Sequence, residues 1–142
     1  MHNFRDPETG AFMLRVALGS VLLIHSLYLK LVVFTLPGTA QFFTSIGLPG
    51  LLAYAVFSIE VVAGIALIIG FQSRLFSALV IPVLLGATWA HWSNGWLFTN
   101  QGGGWEYPLL LVVLAFVQIS LGDGKYALAI RSNGLLRTEK VH

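Results

Sequence analysis

The chain has 142 residues, 56% hydrophobic and only 10% charged, with a formal net charge of +2 and no cysteine. So few charges cannot coat a soluble domain, which typically carries about 25% charged residues, and so small a net charge excludes a nucleic-acid binder. The missing thiols exclude disulfide staples, thiolate metal sites and thioether-linked haem, and the medium that accepts such a chain is a lipid bilayer.

Four apolar tracts follow in order, at residues 11–34, 51–71, 75–95 and 105–122. Crossing a bilayer core takes about 20 apolar residues, with a range of about 17–25. The first three tracts qualify directly. The fourth is short, and it reaches the length only with Trp105 counted in and Pro108 placed in the first turn. Leu36-Pro37-Gly38 closes the first tract, and Gly47-Leu48-Pro49-Gly50 precedes the second. The segment Gly70-Phe71-Gln72-Ser73-Arg74 has room only for a tight turn between helices. Gln101-Gly102-Gly103-Gly104 is a flexible tip, Asp123-Gly124-Lys125 ends the last helix, and the tail is expected to form a short interfacial helix ending near Asn133-Gly134. The first tract exceeds the usual signal-peptide core of about 7–15 residues and reads as a retained helix. Pro82 interrupts the third tract and should kink it.

The expected fold is all-α, a transmembrane four-helix bundle running up-down-up-down. Residues 1–10 form an N-terminal cytoplasmic segment, 11–126 the membrane domain and 127–142 a cytoplasmic tail. Orientation comes from the basic residues. Arg5, Arg15, Arg74, Lys125, Arg131, Arg137 and Lys140 fall on one side, and Lys30 alone approaches the other. Both termini are therefore expected in the cytoplasm of a cell with this protein in its inner (plasma) membrane. The loops 35–50 and 96–106 then face outward. Trp89, Trp92, Trp96, Trp105, Tyr54 and Tyr107 gather on that outer side, either as an interfacial belt or as the roof of a cavity. The stretches Phe43-Thr44-Ser45-Ile46-Gly47 and Phe98-Thr99-Asn100-Gln101-Gly102 echo one another weakly, as in a duplicated hairpin.

Ionisable side chains inside a membrane span cost about 2.5–3.5 kcal/mol or more at the helix centre. Those present are His25, Lys30, Glu60 and His91, with Glu106 at the mouth of the fourth helix. At 1.5 Å per residue, His25 and Glu60 both lie about 13 Å below the outer helix ends, and His91 about 6 Å below. Glu60 shares its helix face with Ala53, Ala63 and Gly64, small residues that mark close helix contact. His91 aligns with Thr88 and Asn94. A desolvated Glu60 calls for a cation, either His25 at equal depth or Lys30 reaching down. The alternative to binding or proton handling is a polar clasp between helices. Lys30 and Glu106 read equally as boundary anchors. The unequal depths of His25 and His91 argue against a bis-histidine haem, and no ligand spacing marks a metal site. The inner half holds only Gln118 with the terminal Arg15 and Arg74, read as anchors.

These residues carry a resemblance. Leu14-Arg15-Val16-Ala17-Leu18-Gly19, Ile24-His25-Ser26-Leu27 and Lys30, Phe42-Phe43, and Gly47-Leu48-Pro49 come first. Glu60-Val61-Val62-Ala63-Gly64, Leu67, Gly70 and Arg74 follow, then Asn94-Gly95-Trp96, Asn100 and Gly104-Trp105-Glu106-Tyr107-Pro108. In this order they resemble the DoxX family of small four-helix membrane proteins across nearly all of residues 11–126. Ser26 and Ala63 stand where the family pattern often has glycine. The resemblance implies a quinone-linked setting. Members include a subunit of a quinol oxidase or thiosulfate:quinone oxidoreductase system, proteins linked to quinone and catechol stress, and members of membrane redox complexes. It implies no catalytic mechanism.

Three functions stay open at this point. One is a redox membrane subunit binding a quinone-like molecule in an outer-leaflet pocket, with Glu60, His25, His91, Lys30, Glu106, Trp105 and Tyr107 as candidate residues. Another is a non-catalytic partner or assembly subunit of a redox enzyme or other membrane subunits, or a homo-oligomer. The third is a small proton-coupled transporter, although the inner half offers no charged stations.

Overall fold

The computed structural model describes residues 5–128. Among them every regular element is helical. Helix α1 spans Pro7–Leu23 and continues as a π-helix over Ile24–Val33. Helices α2 (Leu36–Ser45), α3 (Leu51–Ile69), α4 (Ser73–Ala90) and α5 (Glu106–Leu121) follow. The expected tail helix near Asn133-Gly134 lies outside the described residues.

Among the described residues three elements are long and apolar enough to cross a membrane: Pro7–Val33 with 27 residues, Leu51–Ile69 with 19 and Ser73–Ala90 with 18. Helix α5 is apolar but has 16 residues, about 24 Å of rise against a core of about 30 Å. Helix α4 continues past Pro82 as one element. The missing Pro82 N–H leaves the Ala78 carbonyl without its usual donor.

Residues 35–50 are not a plain loop: they carry α2. Thr35 caps it, its Oγ1 accepting from Gly38 N at 3.1 Å, and Pro37 sits in the first turn. Threonine followed by a first-turn proline is a helix-start signal that the expected loop overlooked.

Helix α1 packs on α3, α4 on α5, and α3 on α4. Leu18, Leu22, Ala63, Leu67, Val80, Leu84, Leu111 and Ala115 form the core between them. The α1–α3 crossing is a glycine contact. A Cβ added at Gly19 would lie 2.6 Å from the Gly64 carbonyl oxygen, whereas one at Gly64 meets first the Leu23 side chain at 2.8 Å and the Gly19 carbonyl oxygen less closely, at 3.0 Å. Backbone cannot step aside as a leucine tip can. Gly19→Ala is therefore expected to cost about 1–3 kcal/mol and Gly64→Ala less, as read from urea or thermal unfolding of the two variants in detergent.

The end with the α3–α4 turn is tied by Arg15, and here the reading of an inert, merely anchored half is corrected. Arg15 is fully buried. Its Nη1 donates to Leu67 O at 3.0 Å and Ile68 O at 2.6 Å, Nε to Asp123 O at 2.8 Å, and Nη2 to Lys125 O at 2.6 Å. The Leu67 and Ile68 carbonyls, in the last turn of α3 where intrahelical donors run out, thus share one guanidinium with the chain leaving α5. Asp123 Oδ1 accepts from Ser73 N at 2.7 Å, satisfying the start of α4. Gln118 is also fully buried, its Nε2 donating to Gly122 O at 2.7 Å.

At the same end Lys125 Nζ pairs with Asp6 Oδ2 at 2.5 Å. The hydrogen bond from Lys125, with a second from the Glu8 amide, holds the Asp6 carboxyl below its usual range, and the Asp6 carboxylate raises Lys125. Asp6 thus favours the fold above its ordinary carboxylate pKa, and this is lost as pH falls through the depressed value. The Lys125 part is present below its ordinary pKa and lost as pH rises through the raised one. Asp6→Asn keeps a capping side chain and should melt slightly below the parent at pH 7. The gap should close in acid, and at neutral pH in high salt, since the pair is exposed.

Candidate functional site

The opposite end, which carries α2 and the 92–105 loop, gathers the candidate residues. The π-helical stretch explains how. His25 Nδ1 donates to Val21 O at 2.9 Å and Ser26 Oγ to Leu22 O at 2.8 Å, where α winding gives way. By the segment's end Phe34 N bonds Leu29 O at 2.8 Å, five residues back.

Lys30 comes off this segment and meets Glu60 from the middle of α3. Nζ lies 2.6 Å from Oε2, with side-chain exposures of 17% and 7%. Between the two candidate cations the pair is thus made by Lys30, while His25 stands within electrostatic reach of Glu60. The His25 ring stacks on Tyr107 of α5, centroids 6.0 Å apart at 26°. Because His25 Nδ1 donates to Val21 O, its Nε2 is the nitrogen left to accept or donate.

His91 does not join this group. Helix α4 ends at Ala90, and His91 is its cap residue, with Nδ1 donating to Ala87 O at 2.8 Å. The expected continuation to Gly95 gives way to a 3₁₀ turn, Trp92–Asn94, followed by Gly95 at φ 85°. His91 instead neighbours Gly103 of the loop tip. Asn94 Nδ2 donates to Gly102 O at 3.1 Å and Asn100 Nδ2 to Asn94 O at 2.9 Å, which fixes that tip.

Three of the tryptophans form a cluster. Trp105 stacks on Trp92 at 4.6 Å and meets Trp96 edge-on at 4.5 Å. Glu106 Oε1 accepts from Phe98 N at 3.2 Å. Beneath this cluster a groove of about 470 Å³ runs along α5, lined by Trp96, Phe98, Glu106, Tyr107, Leu109, Leu110 and Val113. Tyr107 thus touches both the groove and His25. Among the described residues no three His, Asp or Glu side chains gather as a metal site.

The residue missed by the sequence reading is Arg15, at the other end. A signal was present: Arg15 lies on the stripe of Ala11, Leu18 and Leu22, which is the buried face of α1.

The DoxX family model matches residues 10–92, more than half of the chain. The match takes in His25, Lys30, Glu60 and His91 and stops before Trp105, Glu106 and Tyr107. The chain is similar to a Bacillus subtilis (strain 168) protein named "Putative oxidoreductase CatD", 36% identical over 80 residues. That alignment covers 56% of this chain and 58% of the relative's length. No solved structure gives a significant match.

Proposed function

The chain belongs to the DoxX family, and from that premise we propose that it is a multi-pass membrane subunit of a quinone-linked redox system. In this reading α5 is a fourth crossing of a four-helix bundle. Both chain ends and the α3–α4 turn face the cytoplasm, and the Lys30–Glu60 end lies in the outer leaflet of the plasma membrane. Seven basic residues against one favour that orientation.

The observation that carries the reading is the Lys30–Glu60 pair, buried within membrane-spanning elements and linked through the His25–Tyr107 stack to the face of α5. Charges at that depth are costly and are characteristic of binding and proton routes. A quinone headgroup presents two carbonyl oxygens that need donors in an apolar setting. Lys30 Nζ is a donor, His25 Nε2 is a second one when the ring carries its extra proton, and Glu60 is the group that hands on a proton. Reduction to the quinol takes two electrons with two protons, and a redox partner supplies the electrons. The name of the Bacillus subtilis relative supports an oxidoreductase setting.

The test is a titration of the nanodisc-embedded protein with a short-tailed benzoquinone, followed by quenching of Trp92, Trp96 and Trp105 fluorescence. Saturable quenching is expected, weakened at least about tenfold by Glu60→Gln and by Lys30→Met, with Arg74→Gln unaffected. Non-saturating quenching, or equal affinity in all four proteins, would sink the reading.

A further inference from the structure

The groove along α5 has a chemistry that the Lys30–Glu60 pair does not use. Its mouth holds Glu106 among the rings of Trp96, Phe98 and Tyr107, and its wall continues along Leu110 and Val113. Glu106 sits in the first turn of α5, where helix amides favour a carboxylate. One of its oxygens is bonded to Phe98 N. Among the described residues no ion pair is seen between Glu106 and a basic side chain, whereas Lys30 pairs with Glu60 and Lys125 with Asp6.

A carboxylate framed by aromatic rings attracts cations twice, through its own charge and through the negative ring faces. The frame is held in place, since Trp96 packs edge-on against Trp105, which in turn stacks on Trp92. The wall is different in kind: Leu110 and Val113 are each 52% exposed and present only hydrocarbon. The order along the groove is therefore an anionic, aromatic seat followed by an apolar track, complementary to a molecule with a cationic head and an apolar tail.

We propose that this groove seats an ammonium-headed phospholipid of the bilayer, its ammonium on Glu106 and an acyl chain along Leu110 and Val113. A free soluble amine would match the seat and leave the track uncovered. A phospholipid without a cationic head would match the track and bring only negative charge to Glu106. The proposal does not depend on quinone binding, because Lys30, His25 and Glu60 do not line the groove. Tyr107 touches both and is left unchanged in the test.

The experiment is native mass spectrometry of the full chain from mild detergent. The protein is equilibrated with equal amounts of phosphatidylethanolamine and phosphatidylglycerol of the same acyl chains, and separately with ethanolamine alone. The ethanolamine lipid is expected to be retained about tenfold over the glycerol lipid, and free ethanolamine not at all. Glu106→Gln keeps an oxygen for the Phe98 amide, so the loop stays closed while the preference falls to near parity. Leu110→Trp fills the track and should strip both lipids. Equal retention of the two lipids by the parent, a preference unchanged in Glu106→Gln, or binding of free ethanolamine as tight as that of the lipid overturns the proposal.

Discussion

Replacing Arg15 by methionine is expected to lower stability by about 4 kcal/mol, a drop of about 10 °C in melting temperature for a chain of this size. The size of the effect follows from what is left behind. Methionine fills the volume but donates nothing, so the carbonyls of Ile68, Asp123 and Lys125 lose their donor at once and Leu67 O is left with the Gly70 amide alone. Two of these belong to the end of α3 and two to the chain leaving α5, so the loss also uncouples the two helix ends. Arg15→Lys is the sharper variant. It keeps the positive charge, yet a single ammonium cannot reproduce a planar fork that serves two carbonyls on one side and two on the other. If the charge matters most, lysine should rescue nearly all of the loss; if the fork matters most, it should rescue less than about half. We expect the second result, with faster amide hydrogen exchange after Gly122 as its local sign. A methionine variant melting within about 2 °C of the parent would show that the knot is dispensable.

The same residue marks where the sequence was and was not legible. Among the breaks between apolar tracts, the turn after α3 was legible as local chemistry: the αL glycine Gly70, at φ 74°, ends that helix. The face of Glu60 was also legible, because Ala53, Ala63 and Gly64 advertise a close crossing and all are buried. Arg15 misled because basic residues near a terminus usually serve as anchors, and its partners are backbone carbonyls more than 50 positions away. Backbone acceptors have no signature in side-chain identity. The cation for Glu60 could not be chosen for a related reason. On an ideal α-helix His25 and Lys30 point about 140° apart, so one helix face cannot present both. The π-helix joins residues five apart and so changes that angle, with His25 set against Tyr107 of α5 and Lys30 against Glu60 of α3. Residue type does not mark that switch: Ser58, Thr88 and Ser120 bond carbonyls four residues back within ordinary α-helices. The cap position of His91 was hidden for a similar reason, since the fold of the Asn94–Gly102 loop decides where α4 stops.

The Lys30–Glu60 pair supplies the second large effect, and a double-mutant cycle separates clasp from site. Removing either partner alone leaves a buried charge without its counter-ion, which typically costs about 3–5 kcal/mol. Glu60→Leu and Lys30→Met are each expected to fall in that range by unfolding in detergent. The double variant Lys30→Met/Glu60→Leu has no orphaned charge. Apolar replacement of a buried pair is often neutral or stabilising, so it should return to near the parent's stability. If the pair were only a clasp, the double variant would regain every property along with its stability. If the pair also serves a ligand, the double variant will fold like the parent and still fail to bind quinone or to confer tolerance to it. A salt bridge that stabilised the helices outright would instead leave the double variant as unstable as the singles. Stability alone cannot tell a retained charge pair from a useful one, because desolvation offsets most of its attraction. The informative outcome is a stable but non-binding double variant, since a pair that hydrocarbon can replace at no cost to folding must have its use in the chemistry of Lys30 and Glu60.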